Sequence, residues 1–84
     1  MKVLHLVRDP GDSLAWEAIA LHPATDEVRV VLLQDAVALV PEAGLTVAAA
    51  APDARARGVK GPASLIEYDE IVAWMEWSDK VVAW

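Results

Sequence analysis

The sequence predicts an α/β protein: a three-layer α/β/α sandwich around a five-stranded parallel sheet. Three observations carry this. Short apolar runs alternate with helix-forming stretches along the whole chain, giving the order β-α-β-α-β-α-β-α-β. The connections are short and closed by Pro, Gly or Asp. The strand candidates are continuous apolar runs rather than alternating ones, as expected for strands covered on both faces.

Val3-Leu4-His5-Leu6-Val7 is the first strand, closed by Pro10-Gly11. Asp12 or Ser13 can then cap a helix that runs through Leu21 or His22. Pro23 stops it, because the residue before proline is pushed out of helical geometry. Val28 to Leu33 is a strand rich in β-branched residues. Asp35 is placed to cap a short helix, Ala36 to Val40, ended by Pro41 and Gly44. Thr46 to Ala50 is read as a strand in spite of its alanines, because Gly44 and Pro52 flank it. Asp53 is placed to cap a further helix ending at Gly58. Ser64 to Tyr68 is the fourth strand, Asp69 caps a helix from Glu70 to about Trp77, and Lys80 to Trp84 is the fifth strand.

On the last helix, 100° per residue puts Ile71, Val72 and Met75 on one face, the expected core face. Trp77 then points nearly opposite, beside Ala73. An outward tryptophan is typical of interface centres. The first helix is apolar nearly all round, with Leu14, Ala18 and Leu21 on one stripe and Trp16 and Ile19 on another. The second and third helices are too short to shield five strands, so a second chain is expected to complete the cover. Trp16, Trp77 and Trp84 are the expected contact residues.

The 84 residues include 7 basic and 13 acidic side chains, a formal net charge of −6. The basic residues are scattered, which argues against nucleic-acid binding through phosphates. No apolar run is long enough to span a membrane, and the first strand is too short for a signal-peptide core. A cytoplasmic protein is expected. There is no cysteine. Disulfides, thiolate metal sites and persulfide carriage are therefore all closed to these residues.

Candidate chemistry is sparse. Ser13, Ser64 and Ser78 lie at a helix cap, a strand start and a post-helix turn, none in a Gly-x-Ser-x-Gly elbow. His5 is expected to be a packed or hydrogen-bonded core histidine. His22, at a helix end, complements the helix dipole when charged. The two lack the helical pairing of a metal site. The first strand-to-helix loop, Arg8 to Asp12, is neither a Walker loop nor Gly-x-Gly-x-x-Gly. Asp9, Asp35, Asp53 and Asp69 recur along the carboxyl-end rim and take the amides an anion would need. No catalytic residue, cofactor or metal is expected.

Five stretches, taken in order, are similar to the TusB/DsrH family of sulfur-relay proteins. They are Leu4-His5-Leu6-Val7, Leu32 to Val37, Pro52-Asp53 with Ala56 to Val59, Leu65 to Tyr68 with Ile71-Val72, and Val82-Ala83-Trp84. The resemblance implies a compact α/β/α fold with a five-stranded parallel sheet. It also implies assembly with TusC-like and TusD-like (DsrF- and DsrE-like) subunits. Such complexes pass persulfide sulfur between cysteines, toward tRNA wobble-uridine 2-thiolation or sulfur oxidation. The main accepting cysteine belongs to the TusD/DsrE-type subunit. This chain departs from the DsrH pattern in its first helix, where Ser13 to Ala18 holds no cysteine, and has Ala36 where the family has glycine. It is also shorter between the second and third strands. The resemblance thus implies a non-catalytic, TusB-like subunit. Three alternatives compete with it: a stand-alone homo-oligomeric scaffold or regulator, a small-molecule or nucleotide-binding module on a flavodoxin-like sheet with its ligand at the strand carboxyl ends near Gln34, and a hydrolase built on His5.

Overall fold

The computed structural model describes residues 1–61 and 63–84. Its elements are β1 (Lys2–Val7), α1 (Ser13–Ala20), β2 (Glu27–Leu32), a 3₁₀ turn (Gln34–Ala38), β3 (Thr46–Ala50), α2 (Ala51–Ala56), β4 (Ser64–Ile66), α3 (Tyr68–Trp77) and β5 (Lys80–Ala83). The five strands form one sheet in the order β4-β3-β2-β1-β5. Every pairing is parallel.

The topology decides how the sheet is covered. From β1 to β4 the chain moves steadily one way, then crosses back beyond β1 to lay down β5. Right-handed crossovers therefore place the first three connections on one face and α3 on the other. Side-chain packing agrees. One core layer joins Val7, Val30, Leu32 and Ala49 to Ala15 and Ile19 of α1, to Val37 of the 3₁₀ turn and to Ala54 of α2. The opposite layer joins Leu4, Leu6, Val31, Ala48 and Ala50 to Ile71 of α3, with Trp74 against it. One ten-residue helix covers that second face.

Several local expectations need correction. The segment after β2 is a 3₁₀ turn, not an α-helix, and Asp35 does not cap it. Five residues ahead of Pro41 give little room for an i→i−4 ladder, so the tighter turn forms. α2 begins at Ala51, with Pro52 in its first turn, where a missing N–H costs nothing. Asp53 thus lies inside the helix rather than at its cap. β4 stops at Ile66, and α3 starts at Tyr68 with Glu67 at its N-cap and Asp69 inside the first turn. Asp12 does cap α1, its carboxylate accepting from the Ala15 amide at 3.1 Å.

The core face of α3 is also corrected. Ile71 is buried at 5% exposure, while Val72 and Met75 lie outside at 51% and 36%. Trp74 and Trp77 turn inward instead, half-buried over the sheet. The cause is Arg29, which rises from β2 on this face. Its guanidinium lies 3.9 Å from the Trp77 ring centroid and 4.9 Å from that of Trp74. Two indoles over a guanidinium bury more surface than Val and Met, and add cation–π attraction.

Candidate functional site

His5 sits at the centre of β1, 1% exposed, on the face that α1 covers. A buried imidazole needs partners for both ring nitrogens. The Trp84 indole N–H donates to His5 Nδ1 at 2.9 Å. His5 Nε2 lies 2.8 Å from His22 Nε2, just beyond the end of α1. His22 Nδ1 lies 2.9 Å from Asp26 Oδ2.

This network fixes its own protons. An indole nitrogen only donates, so His5 Nδ1 must accept. His5 then carries its proton on Nε2 and donates to His22 Nε2. His22 in turn carries its proton on Nδ1 and donates to the Asp26 carboxylate. All three bonds point one way, from Trp84 to Asp26. His5 takes a second proton only by losing the bond from Trp84. Burial first, then the nearby His22 and Lys80, lowers the His5 pKa from 6.5 to about 4. The hydrogen bond from His22 holds the Asp26 carboxyl below its ordinary value. The row therefore clamps three segments together: the end of β5, the centre of β1 and the turn between α1 and β2.

His5 is thus the hydrogen-bonded core histidine expected. His22 does something the sequence did not suggest, serving as acceptor to His5 rather than as a partner of the helix dipole. The constellation spans residues 5, 22, 26 and 84 and follows no short motif. One signal was available: His5 shares the strand parity of Val3 and Val7, which points it under α1.

At the carboxyl ends of the strands lies an open cleft of about 390 Å³ between Arg8, Asp9, Asp12, Gln34, Asp35 and Trp84. The acids here do take backbone amides, though not all in the expected way. Asp9 accepts from Gly11 at 2.8 Å and Asp69 from Glu70 at 3.0 Å. Asp53 accepts from the Gln34 amide at 2.8 Å and from the Tyr68 hydroxyl. Burial pushes the Asp53 pKa up, but these two bonds and the nearby Arg57 charge outweigh it and leave it below the ordinary value. Asp35 pairs with Arg57 at 3.0 Å. Arg8, the one cation lining this cleft, donates to the Trp84 carbonyl at 2.8 Å. The cleft is therefore a poor anion site, and among the described residues no cluster of three or more His, Asp or Glu could hold a metal ion.

Gln34 has a φ of +51°, the left-handed region. The Asp53 carboxylate on its amide holds it there. Gln34→Gly is expected to raise stability by about 0.5–1 kcal/mol, read by urea denaturation, because glycine adopts this conformation without a Cβ clash.

The three tryptophans expected at interfaces occupy separate places. Trp16 is half-buried beside an open groove of about 380 Å³ with Ile19, Leu39, Val40 and Leu45, and Glu42 at its side. Trp84 meets His5 edge to edge through its N–H, with ring centroids 6.1 Å apart and planes 15° from parallel. Trp77 is on the opposite face, against Arg29 rather than turned outward. No helix among the described residues is long and apolar enough to cross a membrane.

No family model matches this sequence, and no curated protein matches it. The fold does have a close counterpart among solved structures. A crystal structure of the ychN protein from E. coli superposes with a TM-score of 0.77 at 20% identity, covering 100% of this chain and 99% of that one. The chain therefore has the α/β fold seen in that protein.

Proposed function

We propose that this chain is a non-catalytic, TusB-like subunit of a cytoplasmic sulfur-relay complex, assembling with TusC-like and TusD-like chains. Its role is to complete the assembly and shape the surroundings of a partner's cysteine. The pathway served is tRNA wobble-uridine 2-thiolation or sulfur oxidation. The observation that carries this reading is the pairing of the family's ordered sequence stretches with a chain of 84 residues that holds no cysteine. Sulfur relay requires a thiolate that attacks and then carries a persulfide. No side chain here can do either, so the chain's contribution to a relay is structural.

The surface supports the same reading. One helix covers the second sheet face, and apolar side chains remain exposed on both sides: Leu14, Leu21 and Val40 on one, Val72, Met75 and Val81 on the other. An 84-residue domain gains stability when such surface is covered by a partner. The reading is tested by native mass spectrometry of the assembly recovered with a tagged form of this chain from its own host. Cysteine-containing chains of similar size in equal copies are expected. A monomer or a homomer would overturn the subunit reading and favour the stand-alone scaffold.

A further inference from the structure

Four arginines occur in the sequence, and three are satisfied within the chain. Arg8 donates to the Trp84 carbonyl, Arg55 grips Glu67 with two bonds of 2.8 and 3.2 Å, and Arg57 binds Asp35. Arg29 differs. Among the described residues no carboxylate lies within 4.0 Å of its nitrogens, and it makes no side-chain hydrogen bond. In a chain with 13 acids and 7 bases, an arginine left without an acid is conspicuous.

Its placement is nonetheless well defined. The guanidinium lies over Trp77, with Trp74 beside it, and Lys2 Nζ approaches the Trp77 ring at 5.7 Å. Stacking on an indole uses the flat faces of a guanidinium and leaves its N–H donors in the plane unused. Those donors reach solvent, because no buried side-chain nitrogen lacks a partner among the described residues. They open on a shallow hollow of about 230 Å³ that Thr46, the cross-strand partner of Arg29, also lines. Glu27 stands at the hollow's wall without pairing to Arg29. This mouth lies toward the amino ends of the strands, away from the acidic cleft.

We infer that the Arg29–Trp77–Trp74 platform is a docking point for an aspartate or glutamate side chain presented by a partner protein. Charge complementarity selects this occupant. A guanidinium already oriented by aromatic stacking loses little rotamer freedom when it takes a carboxylate through two parallel bonds. Arginine and tryptophan together are also the commonest makings of an interface hot spot. Glu27, at the wall of the hollow, leaves those donors unpaired, so they stay open to an acid from outside the chain. This inference rests on the subunit reading and names the chemistry of the contact.

The test uses the assembly recovered from the host. Arg29→Lys keeps a cation at the site and supplies an amine, so carbodiimide treatment should link position 29 to a partner Asp or Glu, located by peptide mass spectrometry. Lys2, also near Trp77, serves as the internal reference in the wild-type complex. Arg29→Gln should weaken assembly at least tenfold and Arg29→Lys by less, since lysine keeps a cation over the indoles. An assembly that forms, gives no link from position 29 and holds Arg29→Gln with unchanged affinity would overturn the docking point while leaving the subunit reading intact. Failure to recover any partner would remove both together.

Discussion

Acidification from pH 7 to pH 4 is expected to lower the unfolding free energy by about 3 kcal/mol through His5 alone. In the folded chain His5 is buried and its pKa falls from 6.5 to about 4. The unfolded chain binds the proton near the ordinary value. Between those two pH values the unfolded state holds more protons than the folded one, so stability rises with pH across that window. The contribution is fully present above about pH 6.5 and lost as the pH falls to 4. Asp26, Asp53 and Glu67, whose pKa values are also lowered in the fold, act in the same direction at more acidic pH. Urea unfolding at pH 7, 5.5 and 4.5 for the wild type and His5→Gln isolates the histidine. The wild-type curve should fall and the variant's should be flatter over this range. The indole of Trp84 gives a second readout, since protonation of His5 on Nδ1 breaks the bond its N–H makes there. Equal slopes in the two proteins would show that His5 does not carry this pH dependence.

Two neighbouring residues on α3 should behave in opposite ways. Ile71→Ala is expected to cost about 3 kcal/mol, the transfer term plus a cavity under the single helix covering that face. Val72→Ala, at a position 51% exposed, should cost no more than about 0.5–1 kcal/mol. Urea midpoints compared at equal slope measure both. The contrast separates the observed face from the one expected by helical periodicity, on which Ile71 and Val72 would both be costly.

That contrast also shows how far the sequence carried. The order of elements and the parallel sheet were legible because apolar runs and their Pro, Gly and Asp punctuation act locally. Asp12 capping α1 is local in the same sense. The face of α3 was not legible, because periodicity ranks residues by hydropathy and gives no credit to a tryptophan that covers an arginine. β3, α2 and β4 lie between Arg29 and α3 in the chain, and nothing local connects Arg29 to Trp77. Asp35, Asp53 and Asp69 each stand where the sequence favours a helix cap. The structure gives Asp53 to Gln34 and Tyr68 and gives Asp35 to Arg57, across segments that only the sheet order brings together. The His5–His22–Asp26–Trp84 row was missed for the same reason. His5 was recognised as buried and bonded, but its partners depend on where α1 and β5 end in space.

The same separation applies to the interface residues. Composition singled out tryptophans, and the structure divides them by what each does for its own chain. Trp84 completes the histidine row, Trp77 orients a guanidinium, and Trp16 flanks an open groove. A contact role for Trp77 therefore works through Arg29, which presents the polar group that a partner would recognise.

As the proposed subunit, this chain adds no sulfur chemistry and yet is needed for it. The most direct measurement is transfer of radiolabelled persulfide sulfur into the recovered assembly, with this chain present and then omitted. Label is expected on partner cysteines only, with transfer falling at least tenfold when this chain is left out. Transfer at an unchanged rate without it would overturn the subunit role.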